Sequence, residues 1–583
     1  MLATELPFEI ITNIARLLPA RDICNGSLVC QAWYQPFSDS LWHTVKIQSR
    51  SKLEALCNHL SEPNRHKVVR QLEIGAQLQL EGKQLSLILQ SFHSLHTLIL
   101  ATGSLSASCF KPEMAWNKWD SLHRLDFHAY NNDLEHTLNI LSSLPALRQL
   151  TYLTNRSGEA SLHVCDMERI HSYLPGLEKL TLSANLALLG ADDIQTMSEF
   201  TMKPANKLKH VKFAFGCVDL RWVSYWALKY PNLRMLEWNP YYDSTRNYSY
   251  VDEAAEMLCY ISRPFNRLET IRLLEASRNR CLHQPFVGLM SRFGRGFRRL
   301  EYDIAFDDQY YATTDGIKEV LRDGLSNRVE TLDMRIYYPV QGPNTLIPLA
   351  LGVCPSLLYL KLQVFDIDFA IDVLLDNCMA LETLNLTCRG IALSKGSSLI
   401  TTTKPHPLQS FELHEGTTTP AVFNYLSDRC RKLTNMQLNC VKIIGRVSDT
   451  AGSLKIDMPH THFQQLQLNQ ISYFSSVRGS ECKNKMHFIS FTQQILSQRK
   501  WYHWNGYWSC HEMSNPYRRL PDNQVKYVEE YYGAFTSRQT PSPCQHHELY
   551  IAPYISSTAW KNDLTRGYID MHCASIDSLI LKN

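Results

Sequence analysis

Histidine and cysteine are the residue types here that could bind a metal or attack a substrate. His460 with His462, and His546 with His547, form two short pairs. Paired imidazoles suit a borderline divalent metal, but a site needs three or four donors. No cysteine or carboxylate stands at ligand spacing beside either pair. Cys510-His511 places a thiol beside a base, yet no third group that would orient the imidazole is identifiable. The 17 cysteines are odd in number and scattered, with no C-x-x-C, which argues against a zinc ribbon or a thioredoxin-type redox motif. The phosphate loops G-x-x-x-x-G-K-[ST] and G-x-G-x-x-G are absent, as are G-x-S-x-G and H-E-x-x-H. The expectation is a chain that is not an enzyme and that carries no cofactor and no metal.

The elements that would position any such group follow a repeat. Three apolar positions spaced L-x-x-L-x-L recur along the chain, as in Leu95, Leu98, Leu100; Leu177, Leu180, Leu182; Leu357, Leu360, Leu362; and Leu433, Met436, Leu438. The weaker Val69, Leu72, Ile74 precedes them and Ile576, Leu579, Leu581 ends the chain. The mean period is about 28 residues. The last two apolar positions are two apart and so share one face of a short strand. Between strands the spacing turns helical: Ile367, Ala370, Ile371, Leu374 and Leu375 predict a helix over 366–377. A strand, a loop and a returning helix cannot bury an apolar face alone, but a stack of such units can. The pattern resembles leucine-rich repeats. Cys354, Cys378 and Cys430 stand three residues before a first leucine, and Pro145, Pro175, Pro231 and Pro355 two before. Both resemble the cysteine-containing subclass, in which such a thiol closes the helix-to-strand turn and is no ligand.

Composition bounds the function. With 59 basic and 56 acidic side chains the formal net charge is +3, so a dedicated nucleic-acid binder is not expected. Hydrophobic residues make up 44% of the 583, enough for a folded chain, and no apolar run is long enough to span a membrane. The first residues lack a basic and then apolar leader, so a reducing compartment, cytoplasm or nucleus, is expected.

A different pattern precedes the repeats. Ile10, Ile11, Ile14, Leu17 and Leu18 form one apolar helical stripe, and Val29, Cys30, Trp33 and Phe37 another. Some forty residues cannot bury so many large groups internally, so some must face another surface. Leu6-Pro7, Leu18-Pro19, Asp22-Ile23, Val29-Cys30-Gln31-Ala32-Trp33 and Leu41-Trp42 resemble an F-box. Gly26 is a departure, because glycine inside a helix costs about 1 kcal/mol against alanine. The resemblance implies docking on a Skp-type adaptor and, through it, a cullin, in an SCF ubiquitin ligase whose F-box subunit selects substrates. It implies adaptor contacts at Leu6, Pro7, Ile10, Ile14, Leu17, Asp22, Leu28, Val29, Cys30 and Trp33. A repeat scaffold with a role outside ubiquitination, and a small-molecule-gated receptor of the same architecture, are the alternatives.

The expected organisation is α/β: an all-helical F-box at 1–44, a linker helix at 45–68, and leucine-rich repeats at 69–470 as a horseshoe of parallel inner strands and outer helices. An aromatic-rich insertion or cap at 471–545 and terminal repeats at 546–583 complete it. Met486 to Ser497 reads as helical. On the exposed strand face Lys212, Glu237, Arg272, Glu301, Asp333 and Lys361 occupy one row, and neighbours about 4.8 Å apart should neutralise one another. Tyr241, Tyr242, Arg278, Arg280, Tyr310, Tyr311, Tyr337 and Tyr338 follow successive strands, and tyrosine and arginine are enriched in binding hot spots. They are the candidate contacts for a protein substrate.

Overall fold

The computed structural model describes all residues except 1–5, 61–67, 112–113, 130–133, 155–160, 199–202, 216–218, 241–249, 276–282, 294–296, 305–311, 314–327, 337–339, 342–350, 352–353, 395–403, 477–482, 505–516, 536–558 and 583. It divides into two units, Met1–Gly296 and Phe297–Asn583.

The first unit opens with three helices, α1 (Phe8–Arg16), α2 (Ala20–Ser27) and α3 (Gln31–His43). Pro7 and Pro19 cap the first two, each in extended backbone where the missing N–H costs nothing. Strand Thr44–Ile47 follows directly and pairs in parallel with Gln71–Ile74. The ladder therefore begins one strand before Val69, and the segment 45–68 holds that strand as well as a helix, Arg50–His59. Parallel pairing continues through Thr97–Leu100, Arg124–Ala129, Gln149–Thr154, Lys179–Ser183, His210–Phe215, Met235–Pro240 and Thr270–Glu275. The register puts Leu72, Leu98, Leu125, Leu150, Leu180, Val211, Leu236 and Ile271 in one buried column. This is why the repeat specifies its fold: a slip by one residue would expose the whole column.

The second unit builds the same ladder from Arg299–Ile304, Thr331–Ile336, Tyr359–Ala370, Thr383–Ala392, Ser410–His414 and Asn435–Asn439, with Ser453–Asn469 and Tyr568–Lys582 beyond. Its column runs Leu300, Leu332, Leu360, Leu384, Phe411, Met436, Leu466, Leu579. A second parallel row joins Thr417–Thr418, Lys442–Gly445 and Ser472–Ser476. Between the rows Glu415, Cys440 and Gln470 each take a positive φ, one per repeat. Gly416 follows at φ +85°, where an added Cβ would lie 2.3 Å from the Cys388 carbonyl oxygen.

Two expected helices differ. Residues 366–370 belong to the strand Tyr359–Ala370, and the helix is only Ile371–Asn377. Met486 to Ser497 is not helical: Phe488–Gln493 is a strand, paired antiparallel with Gln498–His503 and parallel with Tyr568–Lys582. That strand is buried almost throughout, so its apolar residues run on rather than alternate. The aromatics of this region pack as a core: Phe488, Trp501, Tyr532, Trp560 and Tyr568 are buried together.

The thiols behave as turn-closers. Cys378 and Cys430 are helix C-caps, and the carbonyls of Cys354, Cys378 and Cys430 accept from the N–H of the first leucine of the next strand. Burial pushes each thiol up to about 12, which keeps it protonated and unreactive. Phe92, Trp119 and Tyr230 do the same task elsewhere, so the position needs an apolar group rather than a small one.

Candidate functional site

The three N-terminal helices divide their apolar residues between two jobs. Ile11, Ala15, Ile23 and Phe37 form a closed core, with Leu6, Trp33 and Leu41 packed on it. Trp33 and Phe37 stack at 5.1 Å. Gly26 lies under this stack: a Cβ there would fall 1.9 Å from the Phe37 ring. Glycine is what lets α2 and α3 approach so closely, which explains the departure noted in the sequence.

What the core leaves out is an apolar surface. Leu17, the C-cap of α1, is 86% exposed, Leu28 82% and Val29 64%, and Ile10 and Ile14 are exposed on α1 itself. These five large apolar groups between residues 10 and 29 are thus left uncovered. The stripe read as one face therefore splits, with Ile11 inward beside Ala15 and with Ile10, Ile14, Leu17 and Leu18 outward. Pro7 and Asp22 are exposed at helix starts, Asp22 in the first turn of α2, where a negative charge suits the helix dipole. Cys30, the N-cap of α3, is half-buried. Phe8 and Tyr34, which the sequence analysis did not single out, are exposed as well, and so is Leu18, which it placed in the stripe but not among the adaptor contacts. Phe8 stands three residues before the inward Ile11, so helical spacing would have placed it in the core and could not have found it.

The eight candidate substrate contacts, Tyr241, Tyr242, Arg278, Arg280, Tyr310, Tyr311, Tyr337 and Tyr338, lie outside the described residues. The strand face itself is visible. Lys212 pairs with Glu237 at 2.5 Å and Arg272 with Glu237 at 3.5 Å in the first unit. In the second, Arg335 lies 3.5 Å from Asp303 and 3.3 Å from Asp333, and Lys361 lies 3.8 Å from Asp333. Within the row Lys212, Glu237 and Arg272 pair, as do Asp333 and Lys361, whereas Glu301 stands opposite the like-charged Asp333 and takes its partner, Arg299, from outside the row. Further along, His414, Asn439 and Asn469 form a cross-strand chain, with Asn439 Nδ2 3.0 Å from His414 Nδ1 and Asn469 Nδ2 donating to Asn439 Oδ1 at 2.5 Å.

Ser490, Asp570 and His572 meet without forming a catalytic triad. Ser490 Oγ donates to Asp570 Oδ1 at 2.6 Å, and His572 Nε2 lies 2.9 Å from Oδ2. A nucleophilic serine needs the imidazole as its base, and here the carboxylate stands between them. Among the described residues no helix is long and apolar enough to cross a membrane.

Residues 3–48 match the F-box-like family model. A comparison with curated proteins finds no match. Among solved structures, the chain is similar to one from a crystal structure of a TLR13–ssRNA13 complex, at 13% identity and a TM-score of 0.37. The likeness covers 74% of this chain and 63% of that one, so this chain spans less than two thirds of that chain's length. The repeat architecture rests on the strand columns themselves. Residues 3–48 are an F-box-like domain, joined in this chain to an α/β solenoid of leucine-rich repeats.

Proposed function

We propose that this chain is the substrate-recognition subunit of an SCF-type ubiquitin ligase. An F-box-like domain ahead of leucine-rich repeats is the architecture of a protein-interaction adaptor, and F-box domains generally bind Skp-type adaptors. The observation that carries the reading is the division of labour in the N-terminal helices: Ile10, Ile14, Leu17, Leu28 and Val29 stay exposed while a separate core holds the helices together. The exposed set docks the adaptor, and the adaptor brings the cullin. The repeats hold the protein to be ubiquitinated, with Tyr241, Tyr242, Arg278, Arg280, Tyr310, Tyr311, Tyr337 and Tyr338 as contacts proposed from the sequence. The chain itself does no chemistry in this scheme, and it works in the cytoplasm or nucleus.

The test is capture of the full chain from cells, with adaptor and cullin measured together. Both should co-purify with the wild type and both should be lost from a Leu17→Asp/Leu28→Asp variant. Adaptor without cullin would move the protein outside ubiquitination. Leu6→Ala is the poorer probe, since Leu6 packs on the internal core and its loss would loosen the helices too.

A further inference from the structure

The second unit holds a polar cluster that the adaptor reading does not use. His487 precedes strand Phe488–Gln493, His503 ends strand Gln498–His503, and the 3-10 helix Ala559–Arg566 delivers Asp563. Strand pairing sets Phe488 opposite His503, and the Trp504 N–H donates to the His487 carbonyl, so the hairpin brings both imidazoles to its base. The three side chains are 11%, 2% and 4% exposed. His503 Nε2 lies 2.9 Å and His487 Nδ1 3.3 Å from the same oxygen, Asp563 Oδ2, and one donor atom from each residue falls within 4.8 Å of the others.

We propose that His487, His503 and Asp563 bind one divalent transition-metal ion, with Zn²⁺ the best fit to a two-imidazole, one-carboxylate set. Donors about 2.0–2.1 Å from a tetrahedral centre stand about 3.3 Å apart, so the His487–Asp563 spacing already suits a common metal and the His503–Asp563 spacing needs only a slight opening. The site also has unspent capacity. Asp563 Oδ1 is buried without a hydrogen-bond partner, and His487 Nδ1 has only the 3.3 Å contact with Asp563 Oδ2, which is not a well-formed hydrogen bond. A buried carboxylate needs a compensating charge. The nearest cation, Arg566, keeps its Nε 3.7 Å from Oδ1 and is 46% exposed. A metal there would clasp the hairpin to a segment sixty residues away in sequence, closing a long loop.

Arg566 is the group that must yield. Its Nη1 lies 3.4 Å from His487 Nε2, and a metal on Nδ1 leaves the imidazole proton on Nε2, facing that guanidinium. This separates a metal site from a purely structural ion pair. A structural pair loses stability when Arg566 is removed, whereas a metal site gains affinity.

The full chain, stripped with chelator, is titrated with Zn²⁺ and with Co²⁺. Wild type should retain one more equivalent of Zn²⁺ than His503→Ala or Asp563→Asn, and Arg566→Gln should bind at least about tenfold tighter than wild type. The Co²⁺ spectrum of wild type should show ligand-field bands without the charge-transfer absorption of cobalt–thiolate, which separates this site from the many cysteines. Equal Zn²⁺ content in wild type and His503→Ala overturns the proposal. So does a Co²⁺ spectrum with thiolate absorption alone, which decides the matter if the histidine variant does not fold. An Arg566→Gln chain of lowered stability and unchanged affinity would assign the cluster to structure only.

Discussion

Gly26 shows how one residue can look wrong in the sequence and be required in the fold. Its helix propensity is poor, yet the Phe37 ring occupies the space a side chain would need. Gly26→Ala should therefore lower stability by about 1–3 kcal/mol through overpacking. Amide exchange should rise across α1–α3 while the repeat strands keep their protection. His171 makes a prediction of another kind. It is buried between helices Val164–Tyr173 and Trp222–Lys229, with Nε2 3.0 Å from the Tyr230 hydroxyl and the Lys229–Glu168 pair nearby. Burial, and the charge of Lys229, lower its pKa from 6.5 to about 3. Protons then bind the unfolded chain more readily than the folded one. This residue's contribution is whole above pH 6.5 and is lost as pH falls toward 3, by about 1.4 kcal/mol per unit. The melting temperature of His171→Gln should depend less steeply on pH over that window than that of the wild type. Parallel curves would contradict the assignment.

Elements were legible where one face is buried and lost where two are. The strand columns follow directly from L-x-x-L-x-L, because alternation identifies a half-buried strand. The Phe488–Gln493 strand is covered on both faces, so Phe488, Ile489 and Phe491 fall at spacings that a helix also satisfies. The same ambiguity hid the cluster of His487, His503 and Asp563, since His487 and His503 converge only if the segment between them is a hairpin. In the Asp366–Asn377 stretch, Ile367 and Phe369 carried the strand period, but the helical spacing of Ile371, Leu374 and Leu375 masked it. The turns between the two strand rows of the second unit had no sequence signature beyond Gly416, because Glu415, Cys440 and Gln470 are not typical left-handed residues. Gly416→Ala should strain φ and press on the Cys388 carbonyl, costing about 1–3 kcal/mol. The expected readout is faster amide exchange at Thr417–Thr418, the strand this turn leads into, and at Lys442–Gly445, which pairs with that strand and whose Lys442 N–H donates to the Gly416 carbonyl. Unchanged exchange there would mean that the turn is not what sets the second row.

At the scale of the whole molecule, the chain joins a small helical domain with an unfilled apolar face to repeats whose charges are largely matched among themselves. The F-box-like domain was legible from its motif residues, which stand at their family spacing, but not its closing strand Thr44–Ile47, which was read as the start of a linker helix. The outward or inward role of each residue was not, because helical period alone cannot say which side of a three-helix packing is closed. Substrate contacts stay a proposal from the sequence, argued from tyrosine and arginine after successive strands. The account stands on the outward face, and the most direct measurement is calorimetric titration of the full chain with a purified Skp-type adaptor. Wild type should bind with one-to-one stoichiometry. Leu17→Asp/Leu28→Asp should lose about a thousandfold in affinity at an unchanged melting temperature, because two large apolar contacts are replaced by charges that docking would desolvate. Equal affinity of the two proteins, or no binding by the wild type, would contradict it.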